Sequence, residues 1–71
     1  MNRAEQLNAL ALLRLLSAVP LSERQRQVLD LRSQGLSYGA VGRHLQISGE
    51  RVRQIEARLR TIARRLSEDP F

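Results

Sequence analysis

"SYGAVGRHLQISGERVRQIEARLR" (residues 37–60) holds two serines, Ser37 and Ser48, each just ahead of an apolar pattern with helical spacing. A serine at that place caps a helix, because its side-chain oxygen accepts from a free amide of the first turn. Leu36 and Val41 stand at the N′ and N4 positions around the first cap, and Ile47 and Val52 around the second. Both pairs have the spacing of a hydrophobic staple. Only "QIS" (46–48) separates the two helices, and a connection of about three residues between two capped helices is a helix-turn-helix arrangement. Ala40, Val41 and Leu45 are expected to face the core. Gly42 is small where the two helices cross, and Gln46 stands where many such turns carry glycine.

Nothing in the rest of the chain alternates with period two, so no strand is expected. A first helix covers roughly 3–17 and ends before Pro20, which forces an extended residue ahead of it. A second starts at Ser22, which forms a capping box with Gln25. It turns Val28, Leu29 and Leu31 inward and stops at Gly35, a natural left-handed C-terminal residue. The third helix spans 38–45. The fourth runs from Gly49 through Leu59, Ile62 and Leu66 until Asp69 and Pro70 end it. The expected fold is all-α: one four-helix domain over 1–71, with N-terminal helices in 3–34 and the helix-turn-helix in 37–66.

The 71 residues contain no cysteine, which excludes a disulfide and a thiolate metal site. Net charge is +5, and all 12 basic residues are arginine. That balance argues for an anionic partner, and arginine's planar fork suits phosphate and guanine. "ALALLRLL" (9–16) is too short for a membrane span, which needs roughly 20 apolar residues. It is also too interrupted, by Glu5 and Arg14, to be a signal-peptide core. A soluble cytoplasmic protein is expected. No nucleophile–base pair, paired acids, phosphate-cradling glycine loop or metal-ligand cluster is visible, so neither catalysis nor a cofactor or metal is expected.

At about 100° per residue, Val52, Ile55, Leu59, Ile62 and Leu66 form one apolar stripe on the fourth helix. Glu50, Gln54, Ala57 and Thr61 lie near the centre of the opposite side. Arg53, Arg60 and Arg64 run along one flank of that side, and Arg51, Arg58 and Arg65 along the other. A helix that reads DNA needs this layout, with short or amide-bearing groups toward base edges and cations toward both phosphate walls. Glu56 is read as a surface residue paired with Arg60 at i+4.

"ERVRQIEARLR" (50–60) resembles the end of the C-terminal promoter-reading domain, region four, of bacterial primary-type sigma factors. "LSERQRQVLDLR..G" (21–35) and "SYGAVGRHLQIS" (37–48) are similar to its preceding helices, and the leucine-rich first helix has a counterpart there too. The resemblance implies a recognition helix over 49–66 that reads the promoter −35 element in the major groove. Glu50 and Gln54 match its base-contacting positions, and Arg51 and Arg53 its phosphate- and groove-contacting ones. Ala57 and Arg58 complete the expected DNA-binding set. Gly49 departs from the arginine usual just after the cap, which reads guanine. Nothing corresponds to the domains that bind and melt the −10 region.

The first helix is apolar on nearly every side from Ala9 to Leu16. Leu12 and Leu15, turned away from Leu7, Leu10 and Ala11, are expected to form a partner interface. In the resembled family this part grips the flap of the RNA polymerase β subunit. The expected partners are therefore double-stranded promoter DNA and RNA polymerase core, with the chain a monomer. Two other readings stand beside this one. A dimeric LuxR/GerE-type regulator fits "LSERQRQVLDLRSQGLS" almost as well, although Ile55 replaces the histidine common there. The other is a polymerase- or sigma-binding interaction protein that no longer reads DNA, which Gly49 favours.

Overall fold

The computed structural model describes residues 2–68, which form four helices: α1 Arg3–Leu15, α2 Glu23–Ser33, α3 Tyr38–Leu45 and α4 Gly49–Glu68. Each start has a side-chain reason. The Asn2 side chain accepts from the Glu5 amide at 2.9 Å, and Glu5 accepts in return from the Asn2 amide at 3.2 Å. Ser22 and Gln25 exchange the same two bonds at 3.1 and 2.9 Å, as their spacing requires. Ser37 accepts from the Ala40 amide at 3.2 Å and Ser48 from the Arg51 amide at 3.0 Å. α1 is two residues shorter than its sequence pattern, because the chain turns at Leu16 to Ala18 ahead of Pro20. The stop assigned to Asp69 and Pro70 lies outside the described residues.

The turns depend on backbone conformations that the sequence marks. Gly35 ends α2 at φ 98°, and Gln46 ends α3 in the left-handed region at φ 61°. Gln46 adopts it without glycine's freedom, and the Ile47 amide then closes the turn onto the Gly42 carbonyl at 2.9 Å. A Cβ on Gly42 would stand 2.5 Å from the Ile47 carbonyl oxygen, so only glycine fits this crossing.

α1 packs mainly on α2 and α3 mainly on α4, while contacts from α2 to α4 join the two pairs. One core cluster draws on all four helices: Leu12, Leu16, Val28, Leu29, Val41, Val52, Ile55, Leu59 and Ala63. Leu36, Tyr38, Leu45 and Ile47 pack against it around the helix-turn-helix. No helix of the described residues is long and apolar enough to cross a membrane.

Three expectations about burial need correction. Leu12 is a core residue at 9% exposure, whereas Leu15 is 48% exposed and shares the open side of α1 with Leu7 at 52%. The covered face of α1 carries Ala9, Leu12 and Leu16, and Leu15, three residues after Leu12, lies at its uncovered edge. Leu66 continues the apolar stripe of α4 in sequence but is 48% exposed, and the last buried position among the described residues is Ala63. Glu56, expected at the surface, is 1% exposed.

Candidate nucleic-acid interface

Helix α4 has two sides of opposite character. Val52, Ile55, Glu56, Leu59 and Ala63 are buried, whereas Glu50, Arg51, Arg53, Gln54, Arg58 and Thr61 are exposed and Ala57 is half-buried between them. The cap at Ser48 starts α4, and the close crossing at Gly42 sets that start against α3. The sequence-predicted DNA-binding residues thus share one open face. Arg64 and Arg65 continue that face with exposed side chains, and His44 is exposed on α3.

Two members of the set are joined. The Arg53 Nε donates to both carboxylate oxygens of Glu50, one turn earlier. That hydrogen bond, and then the carboxylate's charge, raise the Arg53 pKa above the ordinary arginine value. The guanidinium is therefore held at its Nε edge, with its two terminal nitrogens available to an anion. Glu50 keeps acceptor capacity after this bond, but it does so as a group already shared with a cation.

Gly49 occupies a crowded place. A Cβ there would lie 3.3 Å from the Gly39 nitrogen and 3.4 Å from its Cα, tighter than ordinary van der Waals contact. The starts of α3 and α4 approach each other glycine to glycine. Close packing at this junction is a physical reason for the missing arginine.

A buried polar network beneath the reading face escaped the sequence reading. Arg32 of α2, 1% exposed, donates from Nε to Glu56 at 2.8 Å and from a terminal nitrogen to the Leu36 carbonyl at 3.1 Å. Its guanidinium carbon lies 3.9 Å from the centre of the Tyr38 ring, a cation–π contact. The Tyr38 hydroxyl donates to Glu56 at 2.7 Å, and Arg60 donates to the same carboxylate oxygen at 2.7 Å. Burial alone would raise the Glu56 pKa; hydrogen bonds from Arg32 and Tyr38, with the charges of Arg32 and Arg60, outweigh it and hold the carboxyl below its usual range. For Arg32, burial works against the charged form, and the bond and charge of Glu56 more than restore it. A signal for both residues was present. Glu56 sits four residues after Val52 and three before Leu59, and Arg32 sits four after Val28 and three after Leu29. Charged residues locked between core positions at helical spacing belong inside only as a pair.

Among the described residues no group of three or more His, Cys, Asp or Glu side chains is arranged to hold a metal ion. The face itself is one side of a capped helix, with exposed arginines along both flanks, in a helix-turn-helix. A family model described as sigma-70, region 4 matches residues 20–65, while no curated protein and no solved structure matches significantly. That match covers α2, α3 and most of α4, the elements that build this face, and the chain belongs to the sigma-70 region 4 family of DNA-binding helix-turn-helix modules.

Proposed function

We propose that this module reads promoter DNA of the −35 type by laying α4 in the major groove, and that it docks on RNA polymerase core through the open side of α1. The observation that carries the DNA half is the split of α4: a buried stripe on one side, and on the other Gln54 and Ala57 between arginine flanks. Gln54 is the residue to read bases, since an amide can bond adenine bidentately. Arg51, Arg53 and Arg58 contact phosphates, and Glu50 orients Arg53 while its remaining lone pairs face the bases. Ala57 lets the backbone approach the groove floor. The polymerase half is supported by Leu7 and Leu15, large apolar side chains left about half exposed on α1.

A salt-dependent titration of −35 and random duplexes tests the first half, with a pull-down on polymerase core for the second. Arg53→Ala should weaken binding to every sequence and flatten the log K against log salt slope by about one. An unchanged slope removes Arg53 from the phosphate contacts. The reading in which the chain binds polymerase or sigma without reading DNA drew on Gly49. The packing of Gly49 on Gly39 gives that glycine a reason of its own and weakens that reading.

A further inference from the structure

Helix α1 keeps one apolar side open. Ala4, Leu7, Ala11 and Leu15 are all exposed, Leu7 at 52% and Leu15 at 48%. At about 100° per residue they fall within one stripe roughly 80° wide and centred near Ala11. Two hollows flank it: one of about 470 Å³ lined by Leu7, Leu10, Ala11, Arg14 and Leu15, and one of about 310 Å³ toward α4, bordered by Asn8, Leu12 and Arg60. We propose that the stripe is a self-association surface on which a second copy of this chain lays its own α1 antiparallel, with Ala11 against Ala11 at the two-fold axis. Such a pairing replaces the monomer expected from sequence alone.

The spacing selects a second copy over an unrelated helix. Leu7 and Leu15 stand four residues to either side of Ala11, so reversing the helix exchanges the two leucines and returns the same pattern. An antiparallel copy therefore sets each leucine over a leucine of its partner, as an isologous interface requires. The small side chain at the midpoint lets the two helices approach closely there. Charge agrees with this pairing. Ala4, Leu7, Ala11 and Leu15 carry none, and the Glu5 carboxylate is turned toward Arg32 of α2, 3.9 Å away. Arg14 borders the stripe, and its counterpart in the copy is displaced by six residues, about 9 Å along the helix. Parallel copies would instead set like ends of two helix dipoles side by side.

Area sets the strength of the pair. α1 has 13 residues and is about 20 Å long. One helix-on-helix contact of that length buries less than the roughly 1,200 Å² at which stable interfaces begin. The dimer is therefore weak and depends on concentration. It covers the side of α1 that the reading above gives to RNA polymerase core, so the paired form is the one that does not dock. The exposed face of α4 takes no part in the stripe and stays open to DNA.

The chain has no cysteine, so one introduced thiol reports on one position. Under mild oxidation Ala11→Cys should cross-link two copies, because the two-fold axis brings those positions within the Cα separation of about 4.4–6.8 Å that a disulfide needs. Ala4→Cys should not, because antiparallel copies hold those positions about 21 Å apart. Sedimentation equilibrium should show a monomer–dimer equilibrium in the wild type, weakened at least about a hundredfold by Leu7→Ser with Leu15→Ser. Circular dichroism melts check that the double variant keeps its fold, and the cross-linking decides the matter even where it does not. Cross-linking at position 4 as fast as at position 11 overturns the proposal. So does a wild type that stays monomeric at millimolar concentration, or a folded double variant that pairs as well as wild type. A chain that pairs but, as a dilute monomer, pulls down no polymerase core supports the pairing and removes the docking reading instead.

Discussion

Glu56→Gln isolates the buried pair beneath the reading helix. The substitution keeps the size of the side chain and an acceptor oxygen but removes the carboxylate charge that faces Arg32, 1% exposed, at 2.8 Å. Removing one member of a buried ion pair costs about 3–5 kcal/mol. Two features place this case toward the lower end. Arg32 retains the Leu36 carbonyl at 3.1 Å, and a half-exposed Glu5 carboxylate lies 3.9 Å away. A 71-residue domain has a total stability of about 4–11 kcal/mol, so a loss of about 3 kcal/mol removes a quarter or more of it. At 4–8 °C per kcal/mol, Tm should fall by roughly 12–24 °C. Circular dichroism melts and urea titrations at neutral pH measure this directly. The pH dependence adds a second check. The Glu56 carboxyl is held below its ordinary range when folded, so its contribution is present above that range and disappears as pH falls through the folded value. Wild type should lose stability on acidification below about pH 4, and Glu56→Gln should show a shallower acid limb. A cost under about 1 kcal/mol, with an unaltered acid limb, would place the pair with exposed salt bridges and refute the reasoning.

Gln54→Ala should relax selectivity between −35 and random duplexes by roughly 1–3 kcal/mol, with little loss on random DNA; equal losses on both would remove Gln54 from base reading. Gly49→Arg should tighten binding to a −35 duplex while lowering Tm, because its Cβ would press on the Gly39 nitrogen at 3.3 Å; no gain in affinity counts against the docking geometry. Leu12→Ala should destabilise the fold by about 2–5 kcal/mol, whereas Leu15→Ser should leave the melt within about 0.5 kcal/mol and weaken the pull-down on polymerase core. Retained core binding in Leu15→Ser would move the docking surface elsewhere.

The helix-turn-helix was legible because its signals are local. Ser22, Ser37 and Ser48 each cap the helix their spacing announced, and Gly42 and Gly35 stand where the backbone demands them. The exposed face of α4 was legible for a related reason: Gln54 and the arginines lie opposite Val52, Ile55 and Leu59, so a period of 3.6 suffices to place them. Periodicity within α4 could not say how far its stripe stays covered, and Leu66 lies beyond the reach of the other helices. Helix α1, apolar nearly all round, carries no internal signal for which side meets α2, and that choice put Leu12 inside and Leu15 outside. Glu56 was misread because its i+4 partner Arg60 satisfied it locally. The partners that bury it, Arg32 and Tyr38, are 24 and 18 residues away in sequence.

Those distant partners bear on function as well as on stability. The apolar stripe of α4 is built from Val52, Ile55, Leu59 and Ala63, side chains that pack without directional preference. Packing of that kind tolerates a small rotation of the helix about its own axis. Glu56 does not, because its carboxylate is bonded from α2 by Arg32 and from the start of α3 by Tyr38. A rotation that moved Gln54 off the centre of the outward face would break those bonds first. The network therefore fixes which side chains α4 presents, and it should be separable from stability. Replacing the pair together, Arg32→Met with Glu56→Leu, removes both charges at once. Exchange of a buried ion pair for apolar residues of similar volume is commonly neutral or stabilising by about 1–4 kcal/mol, so Tm should hold or rise. Binding to random DNA should also hold, since Arg51, Arg53 and Arg58 are untouched and Arg60 is freed. The ratio of −35 to random affinity should fall by roughly five- to a hundredfold, the equivalent of one misplaced base pairing. A stable double variant with its selectivity intact would show that apolar packing alone sets the rotation of α4, and would leave the Arg32–Glu56 pair with no part in reading DNA.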